Sequence, residues 1–127
     1  MSATKLQEQL QRELESFQKL QKDLQKLVTG RQQLDAQYNE NKVVKDELDI
    51  IETDANVYKL TGPILVKQDV SEAKLNVGKR LDYIQGELKR HEKSIKDLQT
   101  EQEKKKESLT KMQQHYQQAL QKQGAKV

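Results

Sequence analysis

Two histidines, His91 and His115, and the chain's many carboxylates are the side chains that could bind a metal or move protons. Their spacing speaks against both. The histidines fall on what reads as a single helix, 24 residues apart (115 minus 91), or about 36 Å at 1.5 Å per residue, too far to share one ion. Adjacent carboxylates such as Asp46 and Glu47 do not share a helix face, so they cannot serve one reacting group. The chain has no cysteine. A disulfide framework, a cysteine zinc site and a thiol nucleophile are thereby excluded, which fits a reducing compartment. With no glycine-rich phosphate loop either, no residue is assigned a catalytic, cofactor or metal role, and the chain does not read as an enzyme.

Among its 127 residues, 34% are charged, 33% hydrophobic and 4% aromatic, and the mean hydropathy is -1.04. An ordinary globule of this length would be less polar. Apolar residues nevertheless recur regularly, which points to a narrow buried seam rather than disorder. The formal net charge is +3, with the two signs alternating along the chain. A nucleic-acid footprint would be more one-sided. The basic run Lys104-Lys105-Lys106 is flanked by Glu101, Glu103 and Glu107, so it reads as a solvated helix face. No stretch approaches the ~18 apolar residues needed to cross a bilayer, and Met1-Ser-Ala-Thr-Lys-Leu lacks an apolar signal core. The expected location is the cytosol, with the nucleus open.

The elements that could use such a seam are two long helical arms. In the first, Leu6, Leu10, Phe17, Leu20, Leu24, Leu27, Leu34 and Tyr38 recur at threes, fours and sevens, and Val44, Leu48 and Ile51 continue with a one-residue slip. The second alternates fours and threes from Val77 through Leu81, Ile84, Leu88, His91, Ile95, Leu98, Gln102, Lys105, Leu109, Met112 and Tyr116 to Ala119. Folded back on each other, the arms satisfy the test for an antiparallel hairpin, in which facing position numbers add to a nearly constant sum. Leu48 then faces Val77, Val44 faces Leu81, Tyr38 faces Leu88, Leu27 faces Leu98, Phe17 faces Leu109 and Leu10 faces Tyr116. Arms of about fifty residues would each reach about 75 Å, giving a long tentacle.

Polar residues at Arg31, Asn41, His91, Gln102 and Lys105 interrupt the seam. They can fix the register by penalising misaligned pairings, and His91 can alternatively act as a pH sensor. Gly30, Gly78 and Gly86 lie inside the helical pattern, either as soft points or as tolerated glycines. Ser71 reads as the N-cap of the second arm, and Asp54 and Asn56 as the end of the first.

Between the arms both the helical period and helix propensity fail. Val57-Tyr58-Lys59-Leu60 and Ile64-Leu65-Val66-Lys67 have strand chemistry, and Thr61-Gly62-Pro63, with the only proline, is a turn. A two-stranded hairpin is marginal in water and leaves both edges open. It therefore needs a sheet built with other subunits. A plain linker would instead be polar or rich in Gly and Ser. The fold class is mainly α: a long antiparallel two-helix coiled coil with a β-hairpin at the connected end. One domain spans 1–127, with an N-terminal helix over 1–53, the hairpin over 54–70, a C-terminal helix over 71–123 and a tail over 124–127.

The run Val57-Tyr58-Lys59-Leu60-Thr61-Gly62-Pro63-Ile64-Leu65-Val66-Lys67-Gln68-Asp69, with Glu72-Ala73-Lys74 and Arg80-Leu81-Asp82-Tyr83-Ile84 after it, resembles the β-class subunits of prefoldin. The single hairpin also suits that class, since α-class subunits carry two. The resemblance implies a hetero-hexamer of α- and β-class subunits whose hairpins assemble into a double β-barrel. It further implies an ATP-independent co-chaperone that captures unfolded proteins, actin and tubulin foremost, and delivers them to the cytosolic group II chaperonin. Val57, Tyr58, Leu60, Ile64, Leu65 and Val66 would be barrel residues, with Gly62 and Pro63 setting the turn. Client contacts would be Leu6, Leu10, Leu14 and Phe17 from one arm and Met112, Tyr116 and Leu120 from the other, unless these only continue the seam. Leu14 lies outside the strict heptad positions and is the residue most expected to be exposed. Lys122 and Lys126 are weaker candidates for a chaperonin contact. No cofactor, nucleic acid or membrane partner is implied. The alternative is a structural or tethering coiled-coil scaffold, which would leave the hairpin without a purpose.

Overall fold

The computed structural model describes residues 2–52 and 54–125. Its elements are α1 (Ala3–Ile50), β1 (Val57–Thr61), β2 (Ile64–Gln68) and α2 (Val70–Ala125), so a β-hairpin lies between two long helices. The chain gathers into two compact units. One is Gly30–Glu92, which contains the hairpin, and the other combines Met1–Thr29 with Lys93–Val127. In the first unit a segment of α1 runs antiparallel to a segment of α2, as the cross-helix pairs Tyr38 with Gln85 and Arg31 with Glu92 show; in the second, Glu13 meets Lys105 across the helices.

Each helix buries one stripe. On α2 every expected seam residue from Val77 to Ala119 is sheltered, and Val77, Leu81, Ile84, Ile95 and Leu109 are buried. On α1 the sheltered positions step by threes and fours through Leu6, Leu10, Glu13, Phe17, Leu20, Leu24, Leu27, Arg31, Leu34, Tyr38, Asn41, Lys45 and Leu48. The slip expected after Tyr38 does not occur. Val44 is 44% exposed, while Asn41 and Lys45 hold the seam places leading to Leu48. A helix keeps its period whatever residue occupies it, and both side chains suit a half-buried site. The Asn41 amide nitrogen donates to the Gln37 carbonyl at 2.7 Å, and a lysine can lay its stem on apolar surface with its ammonium in water.

The helix pairing also differs from the expected register. Leu48 does pack with Val77, but in one cluster with Ala73 and Leu81. Beyond it, the Tyr38 hydroxyl accepts a hydrogen bond from Gln85 rather than facing Leu88, a displacement of about one helical turn. In the other unit Lys105 reaches Glu13 at 3.0 Å across two long side chains, while Leu10, Leu14, Leu109 and Tyr116 line one hollow. A seam that repeats by threes and fours meets its partner seam again after each half-heptad slide, so apolar periodicity allows several registers. Polar pairs help to distinguish them. Arg31 meets Glu92 at 3.0 Å with both side chains about half exposed, so the pair contributes at most about 1 kcal/mol but is satisfied in only one alignment.

Gly30 has a steric reason to be glycine. A Cβ there would lie 3.1 Å from the His91 Nε2, tighter than ordinary van der Waals contact. The His91 ring is held in place by its Nδ1, which donates to the Glu87 carbonyl at 3.0 Å. Gly78 has nothing within 4 Å of such a Cβ. Gly78→Ala should therefore raise stability by up to about 1 kcal/mol, the helix propensity difference, whereas Gly30→Ala should gain clearly less because His91 must move. Chemical denaturation of the two variants checks this; equal gains would show that the His91 contact does not constrain Gly30.

Candidate functional site

The hairpin is set between two defined helix ends. Ile51 donates its N–H to the Glu47 carbonyl at 3.2 Å, and a following turn is closed by the Ala55 N–H on the Glu52 carbonyl at 3.0 Å. α1 thus stops ahead of Asp54 and Asn56, the residues expected to end it. At the start of α2 the cap is Asp69, not Ser71. The Asp69 carbonyl accepts the Ala73 N–H at 2.9 Å, and its carboxylate accepts the Ser71 hydroxyl at 2.8 Å. Aspartate suits the cap because its charge complements the helix N-terminus.

β1 and β2 pair antiparallel, with Val57 opposite Gln68, Lys59 opposite Val66, Leu60 opposite Leu65 and Thr61 opposite Ile64. That leaves Gly62 and Pro63 as a two-residue turn. Gly62 has a φ of 60°, as the first central residue of a II′ turn requires, and Pro63 supplies the negative φ of the second. A Cβ at Gly62 would meet nothing within 4 Å, so backbone conformation, not space, calls for glycine.

Side chains alternate between the two faces of the ribbon. Val57, Lys59, Thr61, Ile64, Val66 and Gln68 share one face, and Tyr58, Leu60, Leu65 and Lys67 share the other. Only the ends of the first face are sheltered. Val57 packs on the cluster of Leu48, Ala73, Val77 and Leu81, and Gln68 is half-buried. Leu60 is 68% exposed, Leu65 64%, Ile64 62%, Tyr58 54% and Val66 49%. Both faces of the ribbon therefore present large apolar side chains to water. A recess of about 300 Å³ lies beneath it, bordered by Tyr58, Leu60, Val44, Asn76 and Arg80 among others.

The residues expected to contact clients fall together in the other unit. Leu10, Leu14, Leu109 and Tyr116 line one hollow of about 240 Å³ with Gln7 and Gln113. Leu6, Leu10, Phe17, Met112 and Tyr116 are half-buried in the seam, whereas Leu14 and Leu120 are 39% and 43% exposed. Lys122 is exposed, and Lys126 lies outside the described residues. Among the described residues no group of three or more His, Cys, Asp or Glu is arranged to hold a metal, and no helix is long and apolar enough to cross a membrane.

Four further exposed apolar side chains escaped the sequence reading: Val43 and Ile50 on α1, and Leu75 and Tyr83 on α2. They flank the hairpin in sequence and lie off the heptad seam. Apolar residues at non-seam positions of a helix this polar were the signal that could have found them.

A family model described as prefoldin subunit matches residues 11–116. The chain is 49% identical over 114 residues to prefoldin subunit 6 of Mus musculus, covering 90% of each chain, and 46% identical over 96 residues to prefoldin subunit 6 of Saccharomyces cerevisiae, covering 76% of this chain and 84% of that one. Among solved structures, the prefoldin beta subunit from Thermococcus strain KS-1 superposes with a TM-score of 0.65 at 27% identity, covering 88% of this chain and 92% of that one. These matches span the hairpin and most of both helices.

Because an L side chain at a positive φ costs about 1–2 kcal/mol, Gly62→Ala should weaken the isolated hairpin without changing helix content. Cross-strand nuclear Overhauser contacts between Leu60 and Leu65 would then fade while circular dichroism stays the same. Undiminished contacts would show that the turn does not depend on the left-handed glycine.

Proposed function

The chain belongs to the prefoldin family, in its subunit 6 branch, and is a co-chaperone subunit of the prefoldin complex; from that premise we propose how its two surfaces divide the work. The family's subunits are non-catalytic. The chain joins a hetero-hexamer of α- and β-class prefoldin subunits by adding its hairpin to a shared β-barrel. Val57, Tyr58, Leu60, Ile64, Leu65 and Val66 supply the apolar surface of that joint, and Gly62 with Pro63 gives the turn its shape. The single observation that carries this reading is the ribbon's exposure: five large apolar side chains at 49–68% exposure on a two-stranded sheet with uncovered faces and edges. Surface of that kind promotes aggregation unless a partner covers it.

Client capture belongs to the unit holding Leu6, Leu10, Leu14, Phe17, Met112, Tyr116 and Leu120. Its half-buried seam residues close on each other when free and open around an apolar segment of an unfolded chain, with Leu14 and Leu120 already exposed. Leucine and methionine suit varied partners. One such contact is weak, but several subunits held together gain avidity without further contacts. The clients are unfolded actin and tubulin, passed without ATP to the group II chaperonin in the cytosol, with Lys122 available for the chaperonin contact.

Replacing Val57, Leu60 and Val66 with aspartate should abolish co-purification of sister subunits, because buried unpaired charge at an interface is strongly unfavourable. Unchanged co-purification would remove the hairpin from the assembly. Truncation before Leu20 and after Leu109 should leave assembly intact while the reconstituted complex, without nucleotide, no longer suppresses aggregation of denatured actin. Retained suppression would move the client contact elsewhere.

A further inference from the structure

Among the described residues, all the exposed large hydrophobic side chains other than Leu14 and Leu120 fall between Val43 and Tyr83. The hairpin accounts for only part of them. Ile50 is 83% exposed, Tyr83 66%, and Val43 and Leu75 58% each, and all four sit on helix. Tyr83 borders a groove of about 380 Å³ whose other walls are Gln37, Asn41, Lys79, Arg80 and Ile84. Arg80 also borders the recess under the hairpin together with Tyr58 and Leu60. The two hollows therefore share Arg80 as a wall. Neither Lys79 nor Arg80 takes part in an ion pair among the described residues.

We propose that the Tyr83 groove is a second assembly contact, occupied by a neighbouring prefoldin subunit that lays an apolar side chain against Tyr83 and a carboxylate against Arg80 or Lys79. The inference rests on the reading of the hairpin as the assembly element and extends it onto the helices. Three observations favour a sister subunit over a client or the chaperonin. The groove shares Arg80 with the recess under the hairpin, so a partner seated on the ribbon is already beside it. Tyrosine and arginine are the side chains that most often anchor protein interfaces, because each offers a broad apolar body with a directional polar end. Finally, two adjacent cations that form no ion pair among the described residues suit a partner that brings a carboxylate to a fixed place, which clients of varied sequence do not.

The test uses the full chain in the reconstituted complex. With Tyr83→p-benzoylphenylalanine, illumination should cross-link this chain to one sister subunit in the assembled complex. Arg80→Glu and Tyr83→Ala, both at exposed positions, should each weaken subunit association about ten-fold with unchanged circular dichroism, and more weakly than the hairpin aspartate variant. Cross-links that form only to denatured actin or to the chaperonin, or none in an assembled complex, would overturn the proposal, as would wild-type association of both variants. The hairpin variant separates the two ideas. If it fails to assemble while Arg80→Glu and Tyr83→Ala associate normally, only the groove contact is wrong. If it assembles normally, the hairpin reading fails, and the Tyr83 cross-link together with the two groove variants decides the groove.

Discussion

Two helices lying side by side can each bury only one stripe, and that limit governs the rest of this molecule. No side chain among the described residues is enclosed on all sides. Stability must accumulate from a few nearly buried side chains such as Leu48, Val77, Leu81, Ile84, Ile95 and Leu109, each worth about 1.5–3 kcal/mol, and from many half-buried contacts between them. The same limit explains why the seam accommodates Glu13, Arg31, Asn41, Lys45 and Lys105. In a narrow seam every position lies near water, so a polar end reaches solvent or a partner and is not stranded. Lys105 and Glu13 keep about a third of their side-chain surface exposed and meet at 3.0 Å.

A ribbon attached to such a seam cannot be covered from within its own chain. Of the ribbon only Val57 and Gln68 find shelter, Val57 against the cluster of Leu48, Ala73, Val77 and Leu81. An apolar hairpin in a chain this polar calls for cover from outside the chain, which the proposed joint with sister subunits would supply. The exposed helix positions around Tyr83 extend the same reasoning. The residues proposed for assembly lie in the unit Gly30–Glu92, while those proposed to meet clients lie in the other. Changes to one surface can then leave the other's chemistry intact.

Much of this was legible in the sequence. Both helices, the hairpin and its turn follow from the failure of heptad periodicity between Ile51 and Val70, together with strand and turn chemistry at Val57 to Gln68. What escaped has physical causes. Val44 drew the seam out of phase because an apolar residue beside the polar Asn41 and Lys45 mimics a slip, although the helix never left its period. The pairing read from apolar positions alone was set out of register because half-heptad slides restore apolar contact, and the pairs that discriminate, Arg31 with Glu92 and Tyr38 with Gln85, are invisible until the fold brings them together. The same holds for Gly30, whose need for a small residue comes from His91. Asp69 was passed over as a cap because Ser71 is an equally good cap by type. The exposure of Leu75 and Tyr83 was missed by following the seam alone, although apolar residues off a seam must lie on the helix surface.

The central claim is that the hairpin is completed by other subunits and not by its own chain. Amide hydrogen exchange measured on the isolated chain and on the reconstituted complex tests it most directly. The account predicts that amides of β1 and β2 exchange freely in the isolated chain and become strongly protected in the complex, while those along the middle of α2 are protected in both. Strand amides already protected in isolation, or still unprotected within an assembled complex, would contradict it.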